Sequence, residues 1–191
     1  MHKLVAVVGM PGSGKSEAVK VFEEAGFSKV YFGGVVLEEV KKRGLEVNEE
    51  NERKVREELR EKYGMEAMAK LSLPVVKEKL TEGNVVVDGL YSLEEYLLLK
   101  KEFPEMIVLC VYSSPRTRYE RLAKRPLRPL RLEEARNRDL NQLKNLHTGG
   151  PIAMADFTIV NESTMEELEE NIKKFIKEII SQYRGNKKTH K

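Results

Sequence analysis

The sequence is poor in the residues that build disulfides, metal cages and membrane spans. Its 191 residues include one cysteine, three histidines and no tryptophan. A single cysteine, Cys110, excludes an internal disulfide, and its apolar neighbours predict a small core residue in a buried strand. The histidines are scattered, and their spacing is not that of a zinc site. We therefore expect no metal centre made of protein side chains alone.

Long apolar runs and a strong charge of one sign are also missing. No apolar stretch approaches the roughly 18 residues that span a bilayer, and no secretory leader precedes the first apolar segment. These absences predict a cytoplasmic protein that does not bind membranes. We expect it to be either a monomer or a homodimer. The formal net charge of +3 is too small to indicate nucleic-acid binding by itself.

Strand-like and helix-like segments alternate along the chain, which predicts an α/β fold with a parallel sheet covered on both faces. The predicted strands are 4–8, 29–32, 85–88, 106–112 and 157–160. The predicted helices are 16–25, 35–43, 48–63, 65–80, 92–101, 115–124, 132–146 and 165–183. A loop is expected at 125–131 and a break at 147–151. We expect one domain over residues 1–184 and a frayed polar tail at 185–191.

Eight residues after the first predicted strand match the phosphate-binding pattern G-x-x-x-x-G-K-[ST] in full. They are Gly9, Met10, Pro11, Gly12, Ser13, Gly14, Lys15 and Ser16. Glycines let the backbone curl so that its N–H groups point at phosphate oxygens, and the following helix adds partial positive charge. Lys15 would approach the β and γ phosphates, and the Ser16 hydroxyl would ligate Mg²⁺. The pattern predicts a nucleoside triphosphate with Mg²⁺ as ligand.

Asp88 ends the apolar run 85–87 and should therefore lie at the carboxyl edge of the sheet, beside the phosphate-binding residues. A carboxylate there can hold the water shell of Mg²⁺ or orient an acceptor hydroxyl. A plain turn aspartate before Gly89 is the alternative.

A second concentration of charge lies between residues 116 and 138. It contains nine basic residues: Arg116, Arg118, Arg121, Lys124, Arg125, Arg128, Arg131, Arg136 and Arg138. Mobile cations of this kind can close over phosphates and spread charge during phosphoryl transfer. A solvated surface and a track for nucleic-acid phosphates are the alternatives, since both also use many basic side chains.

Several segments together resemble archaeal adenylate-kinase-related and dephospho-CoA-kinase-like P-loop proteins. They are the eight-residue pattern, residues 87–89, 112–115 and 121–125, and the run 152–161. The resemblance covers nearly the whole chain and is weakest at 33–64. It implies a three-layer, nucleotide-kinase-like fold with strand order 2-3-1-4-5, a helical acceptor-binding insertion at 33–80, and a lid at 125–150.

The resemblance also implies roles for individual residues. Arg121 would stack on the adenine of ATP, and Arg125 would reach its phosphates. Arg136 and Arg138 would contact the transferred phosphoryl group, and Asn161 would line the base pocket. The implied activity is transfer of the γ-phosphoryl of Mg·ATP to a small acceptor, of the nucleoside monophosphate or dephospho-CoA type.

Two departures from this pattern keep other functions open. The helix after the second strand begins at 33–38 without the arginine that usually grips the acceptor phosphate, and Asp88 is followed by Gly-Leu-Tyr rather than Gly-x-Arg. Arg43, Arg53, Arg56 or Arg60 could replace the missing grip. A nucleotide-binding regulatory or assembly protein and an RNA-directed protein are the alternatives. A GTPase is disfavoured because no Asn-Lys-x-Asp segment is present.

Overall fold

Five short strands form the centre of the computed structural model, which describes residues 2–185. They are Leu4–Val8 (β1), Ser28–Tyr31 (β2), Val85–Asp88 (β3), Ile107–Tyr112 (β4) and Phe157–Val160 (β5). All neighbouring strands are parallel, and their order is β2-β3-β1-β4-β5. The predicted fold class and strand order are confirmed. The predicted tail lies outside the described residues from residue 186 onward.

Nine helices connect and cover the strands within residues 2–185. They are Lys15–Glu24 (α1), Gly34–Lys42 (α2), Glu49–Tyr63 (α3), Ala67–Glu82 (α4), Leu93–Glu102 (α5), Pro115–Lys124 (α6), Leu132–Asn145 (α7), Gly149–Ala153 (α8) and Met165–Gly185 (α9). Among them, none is both long enough and apolar enough to cross a membrane.

The sheet is buried on both faces because its strands are continuously apolar. Successive residues of a strand point to opposite faces, so Ala6 and Val8 of β1 pack with α2, α3, α4 and α5, whereas Val5 and Val7 pack with α1 and α9. Three layers result, and the helices between β2 and β3 all belong to one of them.

The helix before the predicted break at 147–151 does end, at Asn145, but residues 149–153 form the short helix α8, which the sequence analysis did not predict. Pro151 stands in its first turn, where the backbone N–H would have no helical partner and its absence costs nothing. Gly150 allows a close approach to α5, since a Cβ at this position would lie 2.8 Å from the Leu93 Cβ. Glycine and proline therefore serve here in packing and in helix initiation.

Strand register brings the carboxyl ends of β1, β2 and β3 to one edge of the sheet. Asp88 at the end of β3 pairs in register with Val7 of β1 on one side and with Tyr31 of β2 on the other. The residues that follow β1, including the phosphate-binding pattern, therefore begin beside Asp88. In parallel sheets this carboxyl edge is where ligands bind.

Candidate functional site

Residues 9–16, which we call the phosphate cradle, form a turn between β1 and α1 in which several backbone donors have no acceptor among the described residues. The Ser13 N–H donates to the Met10 carbonyl at 3.2 Å. No acceptor is found among residues 2–185 for the N–H of Gly12 or Gly14, and the first N–H groups of α1 have no helical partner by geometry. The Ser13 hydroxyl is also buried without a partner. These donors fit an anion with several oxygens.

Close packing explains two of the cradle glycines. Gly12 and Gly14 have φ angles of 80° and 99°, which L side chains rarely adopt. A Cβ at Gly12 would lie 2.9 Å from the Arg118 carbonyl oxygen, and one at Gly14 would lie 2.4 Å from the Asn161 amide nitrogen. Neighbouring elements therefore press directly on the cradle, which fixes its shape.

Lys15 is folded back over the cradle and largely shielded from water. Its ammonium donates to the Met10 carbonyl at 3.0 Å. Burial lowers the pKa of Lys15 to about 8, the Asp88 carboxylate opposes this shift, and the positive charges of Arg138 and Arg118 add to it. A phosphate arriving at this point would supply the counter-charge that the lysine lacks.

Asp88 lies at the sheet edge near Lys15, where the sequence predicts it. It also forms an ion pair there. The Lys29 ammonium of β2 lies 3.1 Å from its carboxylate. Burial raises the pKa of the Tyr31 and Tyr91 phenols, and the negative charge of Asp88 adds to the shift, for Tyr91 after the charge of Tyr31. The pair Asp88–Lys29 was not anticipated from the sequence.

One cavity of about 490 Å³ opens directly from the cradle and is partly formed by Arg121 and Asn161. The Arg121 guanidinium donates to the Ser113 hydroxyl at 3.0 Å, to the Asn161 carbonyl at 3.1 Å and to the Ser163 carbonyl at 3.2 Å. Asn161 in turn donates from its amide to the Ser13 carbonyl at 2.9 Å. Both residues predicted to contact the base therefore lie together beside the cradle, and their roles there stay predictions.

Arg118 is a buried residue of this site to which the sequence analysis assigned no role. Its guanidinium forms a two-bond ion pair with Asp139 of α7, at 2.9 and 2.6 Å. It also donates to the Pro11 carbonyl at 3.1 Å and to the Ser113 carbonyl at 3.2 Å. One side chain thus connects the cradle, the end of β4 and α7. The sequence contained one clue to this ion pair, because Asp139 is the only acidic residue between Glu134 and Asp156.

A second cavity of about 850 Å³ lies between α3 and α7, and we call it the arginine cleft. Six arginines line it: Arg53, Arg56, Arg60, Arg125, Arg128 and Arg138. Arg125 lines the cradle cavity as well. Its pKa is lowered by desolvation and then by the positive charges of Arg138 and Arg128. Arg125 therefore stands at the junction of the two cavities.

The structure separates two arginines that the sequence analysis grouped. The positive charge of Arg138 lowers the pKa of Lys15, and Arg138 lines the arginine cleft. Arg136 instead lines a separate surface pocket on α6, together with Arg116 and Tyr119. Two residues along a helix correspond to a rotation of about 200°, so these side chains leave α7 on nearly opposite sides. Arg136 is not brought to the cradle.

A buried carboxylate, Glu95 of α5, lies near the α3 wall of the cleft. Its Oε2 accepts the N–H groups of Tyr91 and Ser92 at 2.9 and 3.0 Å, while its Oε1 has no partner among the described residues. Burial raises the pKa of Glu95 to about 7, and the hydrogen bonds together with the charge of Arg60 oppose the shift.

The residues present fit a Mg²⁺ ion that arrives with a nucleotide. In such sites Mg²⁺ is usually held by one or two protein oxygens, phosphate oxygens and water. Ser16 in the first turn of α1 and Asp88 beside Lys15 would supply the protein oxygens. Among residues 2–185, no group of three or more His, Cys, Asp or Glu side chains could hold a metal by itself, so the nucleotide has to complete the site.

Comparisons with known proteins agree with this geometry. A family model described as "AAA domain" matches residues 8–147. The UPF0200 protein TK1334 of Thermococcus kodakarensis is 45% identical over 183 residues, which cover 93% of this chain and 98% of that protein. The chain belongs to the UPF0200 family. This UPF0200 chain is also 36% identical to the UPF0200 protein MJ1399 of Methanocaldococcus jannaschii, across 97% and 94% of the two chains.

Solved structures place the UPF0200 chain among small-molecule kinases by fold. Shikimate kinase from Acinetobacter baumannii, in complex with shikimate, has a TM-score of 0.59 at 16% identity and covers 95% of each chain. A gluconokinase from Sinorhizobium meliloti has a TM-score of 0.53 at 13% identity, across 94% of this chain and 97% of that one. At such identities the likeness shows the fold alone. The UPF0200 chain is therefore a P-loop NTPase with kinase-like fold neighbours.

Proposed function

We propose that this protein is a kinase that transfers the γ-phosphoryl group of Mg·ATP to a small acceptor. The observation that supports the proposal is the arrangement of two cavities that share Arg125, one of which opens from the phosphate cradle. One contains Arg121 and Asn161 and suits a nucleotide; the other is the arginine cleft and suits a second molecule. Arg125 borders both.

The reaction follows from the positions of the charged groups. An acceptor hydroxyl in the arginine cleft attacks the γ-phosphorus, the bond from that phosphorus to the β–γ bridging oxygen breaks, and ADP leaves with the electron pair. Lys15, Arg125 and Arg138 neutralise the charge that spreads over the transferred group. Mg²⁺, held through Ser16 and Asp88, supplies further charge neutralisation when bound.

Asp88 has the second role of receiving or orienting the acceptor proton. Its carboxylate lies near Lys15 at the carboxyl edge of the sheet, and Lys29 at 3.1 Å holds it in place. No covalent intermediate on the protein is needed, because holding both reactants in line supplies much of the acceleration. The proposed acceptor is nucleotide-like, as in the adenylate-kinase-related and dephospho-CoA-kinase-like proteins that the sequence resembles.

The test measures transfer of the labelled γ-phosphoryl of ATP to a panel of nucleotide-like acceptors. We compare the wild type with Lys15→Ala and Arg125→Gln, and with Arg116→Gln as a matched arginine control, since Arg116 is exposed outside both cavities. The first two variants should lose about a hundredfold or more in transfer rate, and the control should keep the wild-type rate.

Two outcomes would count against the proposal. Transfer at the wild-type rate by Lys15→Ala would exclude this mechanism. Tight binding of Mg·ATP without transfer to any acceptor would favour a regulatory or assembly protein instead.

A further inference from the structure

The arginine cleft is unusual because most of its arginines have no acidic partner. Only two acidic residues line it, Glu49 and Glu57. Glu49 lies 3.5 Å from Arg128. The other five arginines, which are Arg53, Arg56, Arg60, Arg125 and Arg138, form no ion pair with any of residues 2–185. Positive charge therefore accumulates in this cleft, because six arginines line it against two acidic residues.

Arginines outside the cleft are paired more often, since three of the six described there form ion pairs, against one of six in the cleft. Arg43 pairs with Glu39 and Glu58, and Arg118 pairs with Asp139. Because the sequence contains 31 acidic residues, partners are plentiful. Like charges repel when they converge, so an unpaired cluster in a cavity is expected where an anionic ligand completes it.

The three arginines on α3 indicate that the cleft binds a ligand in addition to ATP. Arg53, Arg56 and Arg60 follow one another at intervals of three and four residues, which places them along one face of the helix. The Nε of Arg60 is buried without a hydrogen-bond partner among residues 2–185, and desolvation lowers the pKa of this side chain. A buried guanidinium donor without an acceptor is unfavourable, and a ligand oxygen would satisfy it.

The length of this row bears on how many anionic groups the ligand carries. At 1.5 Å per residue, the backbone positions of Arg53 and Arg60 are about 10 Å apart along the helix. A single phosphate is gripped by one or two guanidinium groups at close range. Arg125 and Arg138, near Lys15, are already placed for the transferred phosphoryl group. The row on α3 therefore has more reach and more donors than a single phosphate uses.

We propose that the arginine cleft binds a small molecule with at least two phosphate or other anionic groups, held by Arg53, Arg56 and Arg60. Naming this molecule as the phosphoryl acceptor rests on the proposed function, whereas the binding site itself does not. The missing acceptor arginine at the start of α2 is then explained, because α3 supplies the grip instead.

Calorimetry with matched ligands tests the proposal directly. The cradle is first saturated with Mg²⁺ and the non-hydrolysable analogue AMP-PNP, so that added phosphates cannot enter it. Two pairs are then titrated: adenosine 3′,5′-bisphosphate against adenosine 5′-monophosphate, and fructose 1,6-bisphosphate against fructose 6-phosphate. In at least one pair, the bisphosphate should bind about tenfold or more tightly.

Substitutions locate the site. Arg53→Gln and Arg60→Gln, at the two ends of the row, should each weaken the favoured bisphosphate about tenfold, and Arg116→Gln should leave it unchanged. Thermal unfolding checks that each variant is folded. Equal affinity within both ligand pairs, or bisphosphate binding unchanged in both end variants, would overturn the proposal.

A salt titration with a single-stranded ten-nucleotide RNA covers the nucleic-acid alternative. If the RNA binds more tightly than either bisphosphate and the α3 variants weaken it, the cleft is an RNA site and the proposal is wrong. If a bisphosphate binds but no phosphoryl group is transferred from ATP, the proposed kinase activity is rejected, whereas the proposed binding site stands.

Discussion

The phosphate cradle and the arginine cleft both attract anions, yet they are built in opposite ways. The cradle consists of eight consecutive residues, and two of its carbonyl oxygens accept hydrogen bonds from Arg118 and Asn161, which hold the turn in place. The cleft is assembled from α3, α7 and the segment between α6 and α7, and its donors are long side chains, most of which form no ion pair among the described residues. A rigid backbone site suits a group common to many ligands, whereas adaptable side chains suit a particular one.

The most disruptive test of this contrast removes the support of the cradle. Arg118→Met leaves Asp139 buried without its partner, and we expect the free energy of unfolding to fall by about 3–5 kcal/mol. The double variant Arg118→Met/Asp139→Leu should recover most of this loss, because no uncompensated charge remains. Nucleotide affinity should stay low in both variants, since the Pro11 carbonyl loses its donor.

Chemical denaturation and calorimetry with Mg·ATP measure the two quantities separately. If the double variant binds nucleotide as tightly as the wild type, Arg118 does not hold the cradle in shape. The contrast between a rigid cradle and an adaptable cleft then fails.

An effect of intermediate size is expected from Glu95, near the α3 wall of the cleft. Its pKa rises from 4.5 to about 7 on folding, so the folded state binds more protons between these values. Stability from this group is fully present below about pH 4.5 and is lost as pH rises through about 7, by about 3 kcal/mol in total. Glu95→Gln, which keeps an oxygen acceptor for the Ser92 N–H, should remove this loss.

Denaturation of both proteins between pH 4.5 and 8 provides the measurement. The variant should match the wild type at the acidic end and exceed it at the alkaline end. Parallel curves across the whole range would show that Glu95 does not titrate with this shift.

The smallest predicted effect is a proton taken up with the nucleotide. Because the pKa of free Lys15 is about 8 and phosphates favour its charged form, Mg·ATP binding should take up about a tenth of a proton at pH 7 and about nine-tenths at pH 9. Calorimetry in buffers of different ionisation enthalpy measures this number. Bisphosphate binding in the cleft at pH 9 should take up none, since guanidinium groups stay charged.

Lys15→Arg is the control, because an arginine at this position is charged before the nucleotide arrives. Proton uptake that persists in this variant would come from another group and would contradict the prediction.

The sequence predicted the sheet and the cradle because both are encoded over short distances. Apolar runs such as 4–8 specify buried strands, and the cradle is a continuous pattern with Lys15 at its end. The strand order came with the resemblance. Helix α8 was missed because the packing of Gly150 on Leu93 depends on contact with α5, which lies some 50 residues earlier.

The cleft and its supports were beyond prediction for a related reason. Arg53 and Arg138 are 85 residues apart, and only the folded chain shows that they line the same cavity. The separation of Arg136 from Arg138 could have been predicted, however, because helical periodicity already places them on different faces. Basic composition alone does not distinguish such a pair.

The contact of Asn161 and α9 with the cradle has a consequence for biosynthesis. The Asn161 amide donates to the Ser13 carbonyl, and Leu168 lies against Gly14, so residues far along the chain complete a turn made near its beginning. While the ribosome is still translating the segment before β5, the loop after β1 has no partner on that side. Nascent protein should therefore remain unable to hold nucleotide until α9 has emerged from the exit tunnel.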